Sequence, residues 1–126
     1  MYISKRYPSS MEYIGETDWE DTDIFKNLIY NDDYANLAKE QVYAMCMRLN
    51  ILDLSAKHLA RVSGVGLGDI RRYRYGEHYP RENRLKRLQR GMNFIEQIVR
   101  DIIIDYGEYD SSYFPKLTHL KEYYND

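Results

Sequence analysis

The stretch LSAKHLARVSGVGLGDIRRYRYG, Leu54 to Gly76, decides the fold of this chain. It predicts a short helix that begins after an N-cap at Asp53 or Ser55 and carries apolar residues at helical spacing. The turn is predicted at Ser63–Val65, because its central glycine reaches backbone conformations that β-branched residues avoid. A second short helix then follows, so the stretch predicts two helices around a tight turn.

The second helix is predicted from Gly66 to about Tyr75, with Ile70 and Tyr73 as its apolar anchors and Gly76 as its stop. Gly66 and Gly68 each weaken a helix by roughly 1 kcal/mol relative to alanine. Tertiary contacts are therefore expected to hold this helix in place.

Two longer helices are predicted on either side of this pair. The first runs from Tyr34 to about Leu49 or Asn50. The second follows Pro80, which suits a first helical turn, and its apolar positions are separated by three and four residues: Leu85, Leu88, Met92, Ile95, Val99 and Ile102. This seam either packs inside the domain or supplies a dimer contact, and Gly91 leaves open whether the helix is broken.

The 126 residues, 44% of them hydrophobic, predict an all-α, compact helix-turn-helix bundle of about five helices with N- and C-terminal extensions. Residues 1–33 are predicted to be an acidic N-terminal extension with one short helix, capped by Asp21 or Thr22. Residues 34–104 are predicted to form the helix-turn-helix domain. Residues 105–126 are predicted to be a tyrosine-rich tail, for which a short helix from about 116 to 124 is one interpretation.

Charge is distributed unevenly along the chain. Residues 1–53 carry 5 basic and 10 acidic side chains, residues 54–97 carry 10 and 4, and residues 98–126 carry 3 and 6. A cationic middle between anionic ends is typical either of a surface for an anionic partner or of a solvated basic helix face. The lone Cys46 and the lack of a long apolar run or signal core predict a cytoplasmic protein, in the host cell if phage-encoded, without a membrane partner.

The chain resembles the lambda-repressor-like helix-turn-helix family (Cro/CI, XRE-type) over about residues 36–96. The resemblance rests on Leu54, Ser55, Leu59, Ala60, Ser63, Gly64, Val65, Ile70, Tyr73, Gly76, Pro80, Leu85 and Leu88. It implies a DNA-binding regulator, of bacterial or phage origin, whose helix 66–75 lies in the major groove of double-stranded DNA.

Base reading would then depend mainly on Arg72 with help from Leu67, while Gly68 permits close backbone approach and Asp69 would repel phosphate. The resemblance also implies phosphate contacts from Ser55 and Lys57 and from the loop after the second helix. Together with the arginine-rich stretch, the predicted nucleic-acid-binding residues are Ser55, Lys57, Leu67, Gly68, Arg71, Arg72, Arg74, Tyr75, Tyr79, Arg81 and Arg84.

An alternative function is a phage-type inhibitor of a nucleic-acid-guided defence nuclease, similar to anti-CRISPR proteins. It would bind a nuclease–guide RNA complex, with acidic residues imitating phosphate. Candidate protein-interaction residues for this alternative are Trp19, Glu20, Asp21, Tyr109 and Tyr113. A homodimer is a further candidate partner, through the seam or the tail.

No catalytic, metal or cofactor site is predicted. Zinc sites need close pairs of ligands, a spacing that is missing from Cys46, His58, His78 and His119. The acidic cluster at 16–23 has no partner motif for metal-dependent chemistry. The chain is therefore predicted not to be an enzyme.

Overall fold

The computed structural model describes residues 19–21 and 33–120 of the chain. Its α-helices are α1 (Tyr34–Ile51), α2 (Ala56–Ser63), α3 (Leu67–Arg74) and α4 (Glu82–Tyr106). Short 3-10 turns occur at Trp19–Asp21, Ser111–Tyr113 and Leu117–His119. No strand occurs within the described ranges, which confirms the all-α prediction.

The described residues hold four α-helices, fewer than the five or so predicted. One reason is that α4 continues through Gly91 as a single helix of 25 residues. The predicted helix after Thr22 lies outside the described residues. At the other end, residues 116–120 of the segment where a last helix was predicted are described, and they contain the 3-10 turn Leu117–His119.

Helix α1 begins at the predicted residue, Tyr34, and ends at Ile51, slightly later than predicted. Its fully buried residues recur at helical spacing: Ala38, Val42, Met45 and Leu49. A buried ion pair also fastens α1 to α4, because Arg48 donates from Nε and Nη2 to the two carboxylate oxygens of Glu96, at 2.8 Å each. Removing one partner of such a pair leaves a buried, uncompensated charge.

Helix α2 is closed at both ends by local signals. The Ser55 hydroxyl accepts from the Lys57 N–H at 3.3 Å, and the Ser55 N–H donates to His58 Nδ1 at 3.1 Å, so that a capping box forms. Gly64 ends the helix with a φ of 74°, the left-handed conformation that the sequence predicted for this turn.

Helix α4 is the centre of the core, and all six residues of its apolar seam are buried within one chain: Leu85, Leu88, Met92, Ile95, Val99 and Ile102. The seam therefore packs inside the domain, which corrects the alternative that it supplies a dimer contact. Gly91 serves this packing, because a Cβ there would lie 3.0 Å from Val62 Cγ2 and 3.2 Å from Leu59 Cδ1 of α2.

The segment 107–120, named here the C-terminal strap, folds back over α2. Gly107 ends α4 in the left-handed conformation, and the Tyr109 hydroxyl donates to the Leu52 carbonyl at 2.7 Å. Phe114 meets the His58 ring edge-on at 5.6 Å, and Leu120 is fully buried. These described residues of the tyrosine-rich tail therefore belong to the core packing.

Candidate nucleic-acid interface

Helix α3 divides into a buried side and a solvent side. Ile70 and Tyr73 point into the core against α1 and α2. The exposed residues of α3 and its C-cap Tyr75 form what we call the outer face of α3: Gly68, Arg71, Arg72 and Tyr75. All four were predicted to bind nucleic acid, and the structure brings them together on one surface.

The turn before α3 is held by Arg87 of α4, which belongs to the arginine-rich stretch but was not among the predicted nucleic-acid-binding residues. Arg87 donates from Nε to the Ser63 carbonyl at 3.2 Å and from Nη2 to the Gly64 carbonyl at 2.9 Å. A Cβ at position 64 would lie 2.7 Å from that Nη2. Arg87 therefore fixes the turn between α2 and α3. Because it lies more than 20 residues from the turn in the sequence, no local pattern predicts this contact.

Asp69 joins two of the predicted arginines. Its carboxylate oxygens accept from Arg72 Nη1 at 3.1 Å and from Arg84 Nη1 at 3.0 Å. Arg84 Nη1 also donates to the Tyr73 hydroxyl at 3.0 Å, and the interaction with Tyr73, with a smaller contribution from the charge of Asp69, raises the pKa of the guanidinium. Both arginine side chains remain at least half exposed, so solvent screens the two ion pairs.

The other predicted arginines of this region are differently placed. Arg74 lies 4.9 Å from the Tyr75 ring centre and 5.7 Å from that of Tyr43, the geometry of a cation–π contact. Arg71 and Arg81 are exposed and make no ion pair with any residue that the structure describes. These three guanidinium groups therefore have no carboxylate counter-ion within the described part of the chain.

The start of α2 holds two more predicted residues, Ser55 and Lys57, both exposed. A groove of about 470 Å³ runs from Lys57 to Leu67 at the start of α3 and is closed on one side by Leu117 of the strap. Leu67 is consequently half-buried at the groove rather than on the outer face.

Tyr79, in the loop between α3 and α4, is 40% exposed, and its ring meets Tyr34 of α1 edge-on at 6.0 Å. The Tyr34 hydroxyl donates to the Pro80 carbonyl at 3.0 Å and so fastens the loop. Burial, and then the charge of Glu82, raise the pKa of Tyr34 to about 12, so this hydroxyl stays a donor at neutral pH.

The predicted protein-interaction residues do not form one surface. Trp19 and Tyr109 are 5% and 6% exposed, because Trp19 packs beside α4 and Tyr109 joins the strap to the core through its bond to the Leu52 carbonyl. Glu20 accepts from Arg90 Nε at 3.1 Å, and the Asp21 side chain lies outside the described residues. Tyr113 is exposed and stacks on Tyr106 at 4.1 Å.

The described ranges contain no group of three or more histidine, cysteine or acidic residues that could hold a metal ion. Among the helices of these same ranges, none is long and apolar enough for a bilayer. Burial raises the pKa of the Cys46 thiol against the lowering influence of Arg74, which suits a packing role for that residue.

Comparisons with protein-family models, with curated proteins and with solved structures found no match to this chain.

Proposed function

We propose that this protein binds double-stranded DNA by inserting the outer face of α3 into the major groove. The observation that carries the proposal is the composition of that face. It presents two exposed guanidinium groups and a tyrosine, and Gly68 has open space where a side chain would stand. A helix with such a face can approach base edges closely, and arginine is the side chain best suited to guanine.

The surrounding residues supply contacts for the DNA backbone. Lys57 and the hydroxyl of Ser55 lie at the start of α2, while Arg74, Tyr79 and Arg81 follow α3. Arginine forks and hydroxyl groups suit phosphate oxygens, and such contacts set the orientation of a protein on the duplex. The resemblance to lambda-repressor-like proteins, stated above from the sequence, supports the same arrangement.

Asp69 is a feature of this interface that disfavours DNA binding. It is the only acidic residue between Leu54 and Gly76, and its charge opposes phosphate. However, it is engaged with Arg72, and the Asp69 bond uses only Nη1 of that guanidinium. The Nε and Nη2 donors of Arg72 take no part in that bond, so we infer that Arg72 is the main base-reading residue.

The experiment is selection of bound duplexes from a random library, followed by fluorescence anisotropy on selected and scrambled duplexes across a salt series. We expect the selected duplex to bind more tightly, with affinity falling steeply as salt rises. Arg72→Gln should cost about 1–3 kcal/mol of discrimination at one base pair. Arg74→Gln should weaken all duplexes alike.

Arg100→Gln is the matched control, because it removes the same charge from an exposed position near the other end of α4. It should leave both affinity and preference unchanged. Equal binding of selected and scrambled duplexes, or equal effects of Arg72→Gln and Arg100→Gln, would contradict the proposal.

A further inference from the structure

A cleft of about 590 Å³ lies between α3, the loop that follows it and the start of α4. Its volume falls in the range of small-molecule sites, about 300–1,000 Å³. The charged groups that line it are three arginines and one carboxylate: Arg72, Arg81, Arg84 and Asp69. The cleft therefore has a net positive charge.

Two of these guanidinium groups already converge on one anion. Arg72 and Arg84 donate to the two oxygens of the same Asp69 carboxylate, at 3.1 and 3.0 Å. The Tyr73 hydroxyl accepts a hydrogen bond from Arg84 Nη1 at 3.0 Å, and Tyr73 is itself 95% buried. A phosphate group offers oxygens to several arginine forks in the same manner, so the fold preorganises an anion site here.

The start of α4 adds to this site. Arg81, the N-cap residue, provides no side-chain cap, and Arg81, Asn83 and Arg84 all line the cleft. The first backbone N–H groups of a helix have no partner within the helix, and together with the helix dipole they favour an anion. The cationic side chains and residues of this helix end therefore line the same cleft, whereas Glu82, the acidic residue of the first turn, does not line it.

One wall of the cleft is aromatic. The partly exposed ring of Tyr79 stands there, braced edge-on by Tyr34. Such a ring can stack on the base of a nucleotide, as aromatic side chains do when they bind unpaired bases. An aromatic wall beside a cationic pocket fits a molecule with a flat ring and a phosphate.

We propose that this cleft binds a phosphate monoester on a nucleotide-sized molecule. Three arginines against one carboxylate leave about two positive charges unmatched, and a phosphate monoester carries about −1.5 to −2 at pH 7. The monoester comes either from a free nucleotide or from the 5′ end of an oligonucleotide. Because Arg72 also belongs to the outer face of α3, an occupied cleft would compete with duplex DNA; this consequence alone rests on the proposed function.

The test is a calorimetric titration of the full chain, without duplex DNA, using adenosine monophosphate, adenosine, and a thymidine trinucleotide with or without a 5′-phosphate. We expect at least one phosphorylated probe to bind about tenfold or more tightly than its unphosphorylated partner. Binding by adenosine monophosphate identifies a free nucleotide as the source, and binding by the phosphorylated trinucleotide alone identifies an oligonucleotide end.

Two variants with matched controls locate the site. Arg84→Gln should weaken binding of the phosphorylated probe about tenfold, whereas Arg100→Gln should not change it. Asp69→Asn should strengthen binding, because it removes the competing internal anion, whereas Glu108→Gln, beyond the far end of α4, should not. Circular dichroism of each variant checks that the helices are retained.

Absence of binding by every probe would overturn the proposal, as would equal binding of phosphorylated and unphosphorylated partners. Equal effects of Arg84→Gln and Arg100→Gln in well-folded variants would do the same. Since no duplex is present in the titration, its failure leaves the DNA proposal standing. Conversely, failure of the duplex selection leaves the cleft proposal standing.

Discussion

Helices α2 and α3 have the same length, eight residues, but they are stabilised in different ways. Helix α2 has a capping box at its start and a left-handed glycine at its end. Helix α3 has no side-chain cap at Gly66 and carries a second glycine, Gly68, in its first turn. Neighbouring sequence therefore suffices to define α2, whereas α3 depends on residues elsewhere in the chain.

The contacts of α3 identify the distant residues that stabilise it. Ile70 and Tyr73 are buried against α1 and α2, Arg84 of α4 binds Asp69 and Tyr73, and Arg87 of α4 binds the turn before α3. Of these two helices, the one that we propose to enter DNA thus has the weaker local support. Its orientation follows from tertiary contacts, so variants at those contacts test the comparison most strongly.

The largest effect is expected for Ile70→Ala. Ile70 is fully buried and is a main apolar anchor of α3, and replacing a buried isoleucine by alanine costs about 2–5 kcal/mol. Urea unfolding monitored by circular dichroism gives the change in the free energy of unfolding. Leu67→Ala, at a half-buried position of the same helix, is the control and should cost less. A cost for Ile70→Ala no greater than that of the control would mean that α3 does not depend on its core anchor.

Gly91→Val should have the next largest effect and acts on α2. The new Cβ would lie about 3 Å from side chains of α2, so that helix must move away from α4. Overpacking of this kind costs about 1–3 kcal/mol. Gln97→Val, at an exposed position of α4, reports the cost of a β-branched residue in the helix together with the loss of two exposed hydrogen bonds, to Asp101 and Arg100. The same unfolding experiment should give a clearly smaller loss for Gln97→Val, and equal losses would contradict close packing of α2 on α4.

Much of this fold could be predicted from the sequence because its signals are local. The start of α1, the Ser55 cap, the Gly64 turn and the apolar positions of α4 each depend on residues within one or two helical turns. Helical periodicity and capping patterns report such features directly. Gly91 shows the limit, since its role as a contact with α2 depends on a residue pairing that no local pattern records.

The candidate site was harder to predict for the same reason. The outer face of α3 follows from helical spacing, and the spacing of Asp69 and Arg72 is that of an i, i+3 ion pair. However, Arg84 is 15 residues from Asp69, and Arg87 is more than 20 from the turn that it holds. Trp19 and Tyr109 were predicted to be interaction residues because they are aromatic residues in polar segments. The fold buries both of them instead.

Gly68→Ala should have a smaller effect, and one of opposite sign. No atom lies within 4 Å of a Cβ built at this position, and alanine favours a helix over glycine by about 1 kcal/mol. We therefore expect α3 to be stabilised, measured as a higher midpoint of thermal unfolding. Gly64→Ala provides the contrast, because its φ of 74° and the nearby Arg87 make any side chain unfavourable. A lower unfolding midpoint for Gly68→Ala would contradict the finding that a side chain at this position has open space around it.

The smallest effect is expected at α2 and concerns pH. The His58 ring accepts from the Ser55 N–H and packs against Phe114, and burial lowers its pKa from the ordinary 6.5. Below pH 6.5 the unfolded chain therefore binds a proton at this position more readily than the folded chain does. Stability from His58 is complete above that pH and declines as the pH falls towards the lowered pKa of the folded state.

His58→Gln separates the capping role of this residue from its titration. Glutamine can accept the Ser55 N–H in a capping box but does not ionise, so the variant should lose less stability than the parent between about pH 7.5 and about pH 5.5. Urea midpoints at the two pH values give the comparison. His78→Gln replaces an exposed histidine of the α3–α4 loop and should keep the parent's pH dependence. If both variants show the parent's slope, the cap of α2 is insensitive to protonation, and its local stability comes from Ser55 and Gly64 rather than from the His58 ring.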